Sequence, residues 1–425
     1  MPHNMYERAQ KVFPPAAGRV TKFGVVKGEG SYLYSENGEK LLDFASGVAV
    51  CNVGHNHPEV VEAAVKQLKD LIHGGHNVVY YESYIKLAEK LVGLTGNETM
   101  VYFSNSGAEA NEGSVKLAKY VSKRPAVLAF KGSFHGRTLG TISLTTSNSA
   151  YRKNYEGLMP SVYFAEYPYC FRCPFKQKQG ECEMECLEQF DRIFKHMIDP
   201  ESIAAMIIEP IAGEGGYIVP PREFMLGLKE ICQKNGIYLI FDEIQTGFGR
   251  TGKMFAYEHF GYRPDIMSCA KGIASGFPLS AVIGSAEIMK QWPAGAHGGT
   301  YGGNPVSCAA SLATIKLLEN GLLDNAAKMG SYLKSRLMEL KDKYDVIGDV
   351  RGLGLMVGIE FVDEENNPDG DIVKKVLEFC RNNGVILLPC GSYKQVIRFI
   401  PPTTVTRDEL DKALEVLEEG IKASI

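Results

Sequence analysis

Short apolar runs alternate with amphipathic stretches through most of this chain, and that alternation admits few folds. The runs are MVYFS (100–104), AVLAF (126–130), SVYFAE (161–166), AAMIIE (204–209), IYLIFD (237–242), DIMSCA (265–270) and SAVIG (280–284). Helical patterns separate several of them. EFMLGLKEICQKNG (223–236), for example, ends on Gly236, which suits a helix C-cap. Strands alternating with helices predict an α/β domain with a mostly parallel sheet wrapped by helices.

The pattern changes at both ends. After His57-Pro58, Val61, Val65, Leu68 and Ile72 recur at helical spacing. Before that point the chain is strand-rich, with a hairpin signal at Glu36-Asn37-Gly38. Residues 306–320 predict a helix leaving the core. Helix 324–343, strands around 346–362, helix 371–383, strands near 385–399 and helix 406–422 follow. The expected domains are an N-terminal segment (1–57) packing with the C-terminal part, a large domain (58–305) and a smaller α+β domain (306–425).

Composition narrows the partners. The chain of 425 residues has 46 Lys+Arg against 50 Asp+Glu, a formal net charge of −4. Without long basic runs it offers no electrostatic footprint for nucleic acid. The N-terminus lacks the apolar core of a signal peptide, and no uninterrupted run of about 18 apolar residues occurs. The expectation is a cytoplasmic protein with no membrane partner.

In open parallel sheets, ligands collect at the carboxyl ends of strands. MVYFS runs into Asn105-Ser106-Gly107-Ala108-Glu109 and a helix. AVLAF leads to Phe134-His135-Gly136-Arg137. AAMIIE ends on Glu209, IYLIFD on Asp242, and DIMSCA runs into Lys271-Gly272. Taken singly these are ordinary: Ser-Gly caps helices, a strand-terminal Asp is often an N-cap, and a loop Lys is usually solvated. Together they meet the needs of pyridoxal phosphate. That cofactor requires a lysine for its aldehyde, a carboxylate for its ring nitrogen and a helix N-terminus for its phosphate. An aromatic such as Phe134 can cover the ring.

The chain resembles the class III aminotransferases of fold type I, closest to the 4-aminobutyrate and ornithine aminotransferase subgroup. The motifs are FASGVAVCNVGHNHP (44–58), FSNSGAEAN (103–111), KGSFHGRTLG (131–140), IIEPIAGEGG (207–216), IFDEIQTGFGRTG (240–252), CAKGIASGFPLSA (269–281), GGTYGGNP (298–305) and VIRFIPP (396–402). The resemblance implies that Lys271 is the Schiff-base lysine and acid/base, that Asp242 pairs with the ring nitrogen and that Gln245 bonds the ring phenolate. Ser106, Gly107 and Ala108 belong to the phosphate site, and Phe134 and His135 to the ring site. Thr300 reaches the phosphate of a neighbouring subunit's cofactor, so a homodimer with shared active sites is expected.

For substrate, the resemblance implies that Arg398 grips the α-carboxylate of glutamate and 2-oxoglutarate, while Arg137 binds the distal carboxylate. Glu209 is expected to pair with Arg398 while an ω-amino donor is bound, and to swing aside for glutamate. Val48 stands where ornithine specialists carry an aromatic, which favours 4-aminobutyrate or 5-aminovalerate as donor. The alternatives are ornithine, acetylornithine or lysine transfer, or an amino-acid racemase or epimerase on the same scaffold.

Cys170-x2-Cys173-x8-Cys182-x3-Cys186 has near-metal spacing. Zinc or an iron–sulfur cluster competes there with free thiols or a local disulfide, and no histidine supports a metal; none is expected. GLGLMVG (352–358) lacks the final glycine and the crossover unit of a dinucleotide loop. His55-Asn56-His57 is read as a helix-entry turn.

Overall fold

The computed structural model describes residues 4–178 and 180–425. A short helix, Met5–Val12, precedes the strands β1 (Val25–Glu29), β2 (Tyr32–Ser35) and β3 (Lys40–Asp43), which pair antiparallel. The turn between β2 and β3 falls on the expected Asn37-Gly38, with Gly38 at φ 87°.

The central sheet has seven strands: β4 (Thr99–Ser104), β5 (Ala126–Phe130), β6 (Val162–Ala165), β7 (Ile203–Ile208), β8 (Tyr238–Asp242), β9 (Ile266–Cys269) and β10 (Ser280–Ser285). Their order is β4-β10-β9-β8-β7-β5-β6. The strands from β6 to β9 in this order run parallel, and β10 runs antiparallel to both β9 and β4. β5, β7, β9 and nearly all of β8 and β10 are buried. Continuous apolar runs fit strands covered on both faces by helices.

The smaller part carries β11 (Ile347–Leu353) and β12 (Met356–Phe361). It also holds β13 (Val385–Ile386), which joins β3 in parallel, and the pair β14 (Leu388–Cys390) and β15 (Val396–Phe399). The β3–β13 pairing ties the N-terminal segment to the C-terminal part. Leu42 and Phe44 share one core with the helices Leu323–Lys343, Gly370–Asn382 and Arg407–Lys422.

One expected boundary moves. The helix Pro305–Leu317 does not leave the large domain: Cys308, Ala310, Ile315 and Leu318 pack with Phe103, Met267 and Cys269. The chain crosses over at Asn320-Gly321, where Gly321 has φ 112°. The run Pro305–Lys343 is long and apolar enough by length and composition to cross a membrane. Its two halves instead face separate protein cores on either side of that break.

The helix Pro58–Asp70 forms where the spacing places it. Val60 and Ala64 are its buried residues, while Val61, Val65, Leu68 and the following Ile72 point outward. The apolar stripe read from the sequence is therefore a surface.

Candidate active site

The carboxyl ends of β4, β5, β7, β8 and β9 surround a cavity of about 380 Å³. Asn105 to Ala108, Phe134, His135, Glu209, Asp242, Gln245 and Lys271 all line it. The topology thus gathers the strand-end residues as expected.

Lys271 follows β9 directly. Its backbone sits at φ 39°, a left-handed conformation that costs a non-glycine residue on the order of 1–3 kcal/mol. Asn52 holds the loop from below, donating to the Phe248 and Gly272 carbonyls. Burial, reinforced by the charge of Arg398, pushes the Lys271 amine below its ordinary range; Asp242 and Glu209 pull the other way.

Asp242 ends β8 and is held from three sides. Its Oδ2 lies 2.8 Å from His135 Nδ1 and accepts Asn111 Nδ2 at 2.7 Å. Its Oδ1 accepts the Ile244 N–H at 3.1 Å. Asn111 also donates to the His135 carbonyl at 2.7 Å and accepts from Ser268, which fixes its amide. Glu243, the next residue, turns the opposite way and accepts the Ala256 and Tyr257 N–H groups. Of the two adjacent acids only Asp242 belongs to the site.

The helix Gly107–Ser122 begins at the cavity wall with a capping box. Ser106 Oγ accepts the Glu109 N–H while the Glu109 carboxylate accepts that of Ser106. The Ser106 side chain is therefore engaged in the cap, and the Gly107 and Ala108 N–H groups remain for an anion. A Cβ on Gly107 would come within 2.8 Å of Ile244 Cδ1. Phe134 stands edge-on to Tyr151, and the Arg137 guanidinium lies 4.3 Å from the Tyr151 ring centre.

One expected role is corrected. Glu209 does not pair with Arg398: its Oε1 accepts the Phe134 N–H at 2.8 Å and its Oε2 the Gly213 N–H at 2.9 Å. Both oxygens are used in holding the neighbouring loops. Burial pushes this carboxyl above the ordinary range, with Asp242 adding to the effect. Five residues later, beyond the Gly213 turn, Glu214 Oε2 lies 3.0 Å from Arg398 Nη1. Against the effect of burial, Arg398 and Lys394 hold the Glu214 carboxyl below its usual range.

Val48 sits on a tight turn before Val50. Ser46, Gly47, Val48 and Ala49 all have φ between 48° and 66°, a left-handed turn that leaves Val48 48% exposed and outside the cavity lining. Val50 lines the cavity instead. Asp43 anchors this turn by accepting the Ala45 and Ser46 N–H groups, each at 3.0 Å, and bonds His55 at 2.8 Å. Burial opposes protonation of His55, but the Asp43 bond raises it to about 10. His57 stands at the N-cap position of the helix that starts at Pro58 but makes no side-chain capping bond, and so has no part in the Asp43 contact.

Thr300 is exposed in this chain and lies outside its cavity lining. The four clustered cysteines are half-buried free thiols. Among the described residues no group of three or more His, Cys, Asp or Glu side chains is arranged to hold a metal. Their excursion is fastened to the smaller domain by Tyr169 and Arg172, which both bond the buried Glu360 of β12.

A strained, buried lysine and a pinned aspartate, beside a helix N-terminus with open amides, fit pyridoxal phosphate, and these features define an enzyme that uses it. The family model described as aminotransferase class-III matches residues 14–421. The chain belongs to the class III aminotransferases. The 5-aminovalerate aminotransferase of Pseudomonas aeruginosa is 41% identical, covering 98% of this chain and 97% of its own. The 4-aminobutyrate aminotransferase of Escherichia coli is 40% identical with the same coverage. A solved taurine:2-oxoglutarate aminotransferase from Bifidobacterium kashiwanohense, in complex with the cofactor and glutamate, superposes with a TM-score of 0.91 at 25% identity. That match covers 100% of this chain and 98% of the other.

Proposed function

We propose that this enzyme moves the terminal amino group of an ω-amino acid of the 4-aminobutyrate or 5-aminovalerate type to 2-oxoglutarate, giving a semialdehyde and L-glutamate. The observation that carries the reading is the Arg398–Glu214 pair, whose charges are felt at Lys271. A donor that bears no carboxylate beside its amine leaves this pair closed. Glutamate brings a carboxylate to that point and opens it. Arg137, which has no ion pair among the described residues, is assigned the distal carboxylate common to donor and acceptor.

When bound, pyridoxal phosphate supplies an aldehyde that condenses with amines and a ring that accepts electrons from the substrate carbon. The chain's own residues do the rest. Gly107 and Ala108 would hold the phosphate, and Asp242, fixed by Asn111 and His135, would present a carboxylate to the ring nitrogen. Lys271 Nζ, whose amine burial and Arg398 push below its ordinary range, would take the proton from the amine-bearing carbon and hand it to the cofactor's aldehyde carbon, with the reverse transfer in the other half.

We further propose a homodimer. Val61, Val65, Leu68 and Ile72 form an outward apolar stripe, and Val78, Tyr80 and Tyr301 are also exposed. A surface of this kind suits a second copy of the chain, and Thr300 on the same loop as Tyr301 would then serve the neighbour's phosphate.

The test is a donor panel with 2-oxoglutarate as acceptor: 4-aminobutyrate, 5-aminovalerate, ornithine, acetylornithine and lysine. Glutamate should form fastest with one of the first two. A preference for ornithine or lysine would overturn the donor class. Loss of chirality from a single amino-acid enantiomer without any keto-acid product would overturn amino transfer itself.

A further inference from the structure

Glu214 has two ends with different partners. Its Oε2 faces the buried Arg398 at 3.0 Å. Its Oε1 accepts the Tyr151 hydroxyl at 3.1 Å and lies 3.4 Å from the ammonium of Lys394, a side chain 43% exposed. One carboxylate thus spans the buried arginine of the site and a lysine on the solvent side.

Arg398 is not saturated by this contact. Its Nε is buried and finds no partner among the described residues. A buried guanidinium with an idle donor can take a carboxylate, and Glu214 is the group that an incoming carboxylate must displace. A displaced, half-buried carboxylate needs a cation of its own, since stranding a charge away from water is costly.

The backbone keeps that cation close. The Gly391 N–H donates to the Glu214 carbonyl at 2.9 Å, and the Lys394 N–H donates to the Gly391 carbonyl at 2.9 Å. The turn between β14 and β15 is thereby stitched to the Glu214 loop. Lys394 holds a left-handed φ of 61° within it. Among the described residues Glu214 is the only ion-pair partner of Lys394. The long, flexible stem of a lysine lets its ammonium follow a moving carboxylate, which the rigid fork of an arginine does less readily.

We propose that Lys394 is the outer resting place of Glu214, receiving its carboxylate whenever a substrate carboxylate takes Arg398. Lys394 is then a positioning residue that sets specificity between substrates that bring a carboxylate to Arg398 and substrates that do not. The inference rests on the aminotransferase reading above. Tyr151 supplies the hydroxyl in both positions, whereas Lys394 supplies the charge that matters when Arg398 is withdrawn.

The test uses holoenzyme and two unreactive probes, glutarate with two carboxylates and valerate with one, their binding measured by calorimetry. Lys394→Met should weaken glutarate about tenfold and leave valerate within about twofold. In steady state the KM for 2-oxoglutarate should rise by a similar factor while the KM for the ω-amino donor holds or falls. Lys394→Arg should restore glutarate binding to within about threefold. Equal weakening of both probes, or no weakening of either, would overturn the proposal; Lys394→Gln gives the same comparison should the methionine variant not fold. Wild-type enzyme that cannot pass an amino group from L-glutamate would instead sink the functional reading, a result visible before any variant is made.

Discussion

The Tyr217 hydroxyl donates to Gln245 Oε1 over 2.9 Å, and this bond decides which end of the Gln245 amide is left for the cavity. Gln245 Nε2 rests against Gly213, where an added Cβ would come within 2.3 Å of it. The amide therefore presents a donor, as a ring phenolate requires. Tyr217 is fully buried and held in a left-handed backbone at φ 53°, so its hydroxyl has little freedom to go elsewhere.

Tyr217→Phe keeps the packing and removes that constraint. The expected loss is about 1 kcal/mol, or roughly fivefold in kcat/KM. A purely structural role would leave the cofactor's spectrum alone. The visible absorption of the bound cofactor should instead titrate at a shifted pH, which a spectrophotometric pH series checks.

Glu214→Ala and Glu209→Ala should separate the two glutamates of IIEPIAGEGG. Without Glu214 the buried Arg398 loses its counter-ion, an imbalance of about 3–5 kcal/mol while no carboxylate is bound. The kcat/KM for the ω-amino donor should fall by about a hundredfold or more, with that for glutamate held within about tenfold. Glu209→Ala releases the Phe134 and Gly213 amides and should depress both half-reactions together. Single-turnover kinetics with each substrate reads the difference.

Sequence alone located this site because its chemistry lies at strand ends. β4, β5, β7, β8 and β9 were legible as apolar runs, and the residues after them needed only the parallel-sheet rule to converge. What escaped was the direction of side chains within loops. Glu209 and Glu214 share one motif, and only the Gly213 turn decides which reaches Arg398. The exposure of Val48 was not legible either, since four successive left-handed residues, one of them glycine, set the turn that carries it. Asn111, Tyr151, Tyr217 and Lys394 carried no signal, since each acts through a partner distant in sequence. The outward stripe on Pro58–Asp70 was legible only as periodicity, because periodicity does not say what covers a face.

The fastening of the cysteine excursion gives a prediction about stability. Glu360 has no exposed side chain and meets Arg172, Arg351 and Tyr169 together, with Arg351 Nη2 at 2.7 Å. Glu360→Gln leaves two cations facing a neutral amide in a buried setting, for a loss of about 3–5 kcal/mol. Chemical unfolding should show this drop. Limited proteolysis should also cut first within residues 170–186, since Tyr169 and Arg172 are the contacts released.

Lys271 yields a prediction whose sign follows from its surroundings. Burial and Arg398 place its amine below the ordinary 10.5 in the folded chain. Between that lowered value and 10.5 the unfolded chain holds a proton that the folded chain does not. Stability must therefore rise with pH across this window, and below it the cost of charging the buried amine is fully present. In cofactor-free protein, Lys271→Met should unfold at a higher temperature than wild type at neutral pH, with the advantage shrinking as pH approaches 10.5. The same shift serves catalysis, because only a deprotonated amine attacks an aldehyde. Capture of pyridoxal phosphate by wild type should accelerate with pH and level off at a lower pH than an ordinary lysine would. Borohydride should then fix the cofactor at Lys271, and a label found at any other lysine would contradict the assignment.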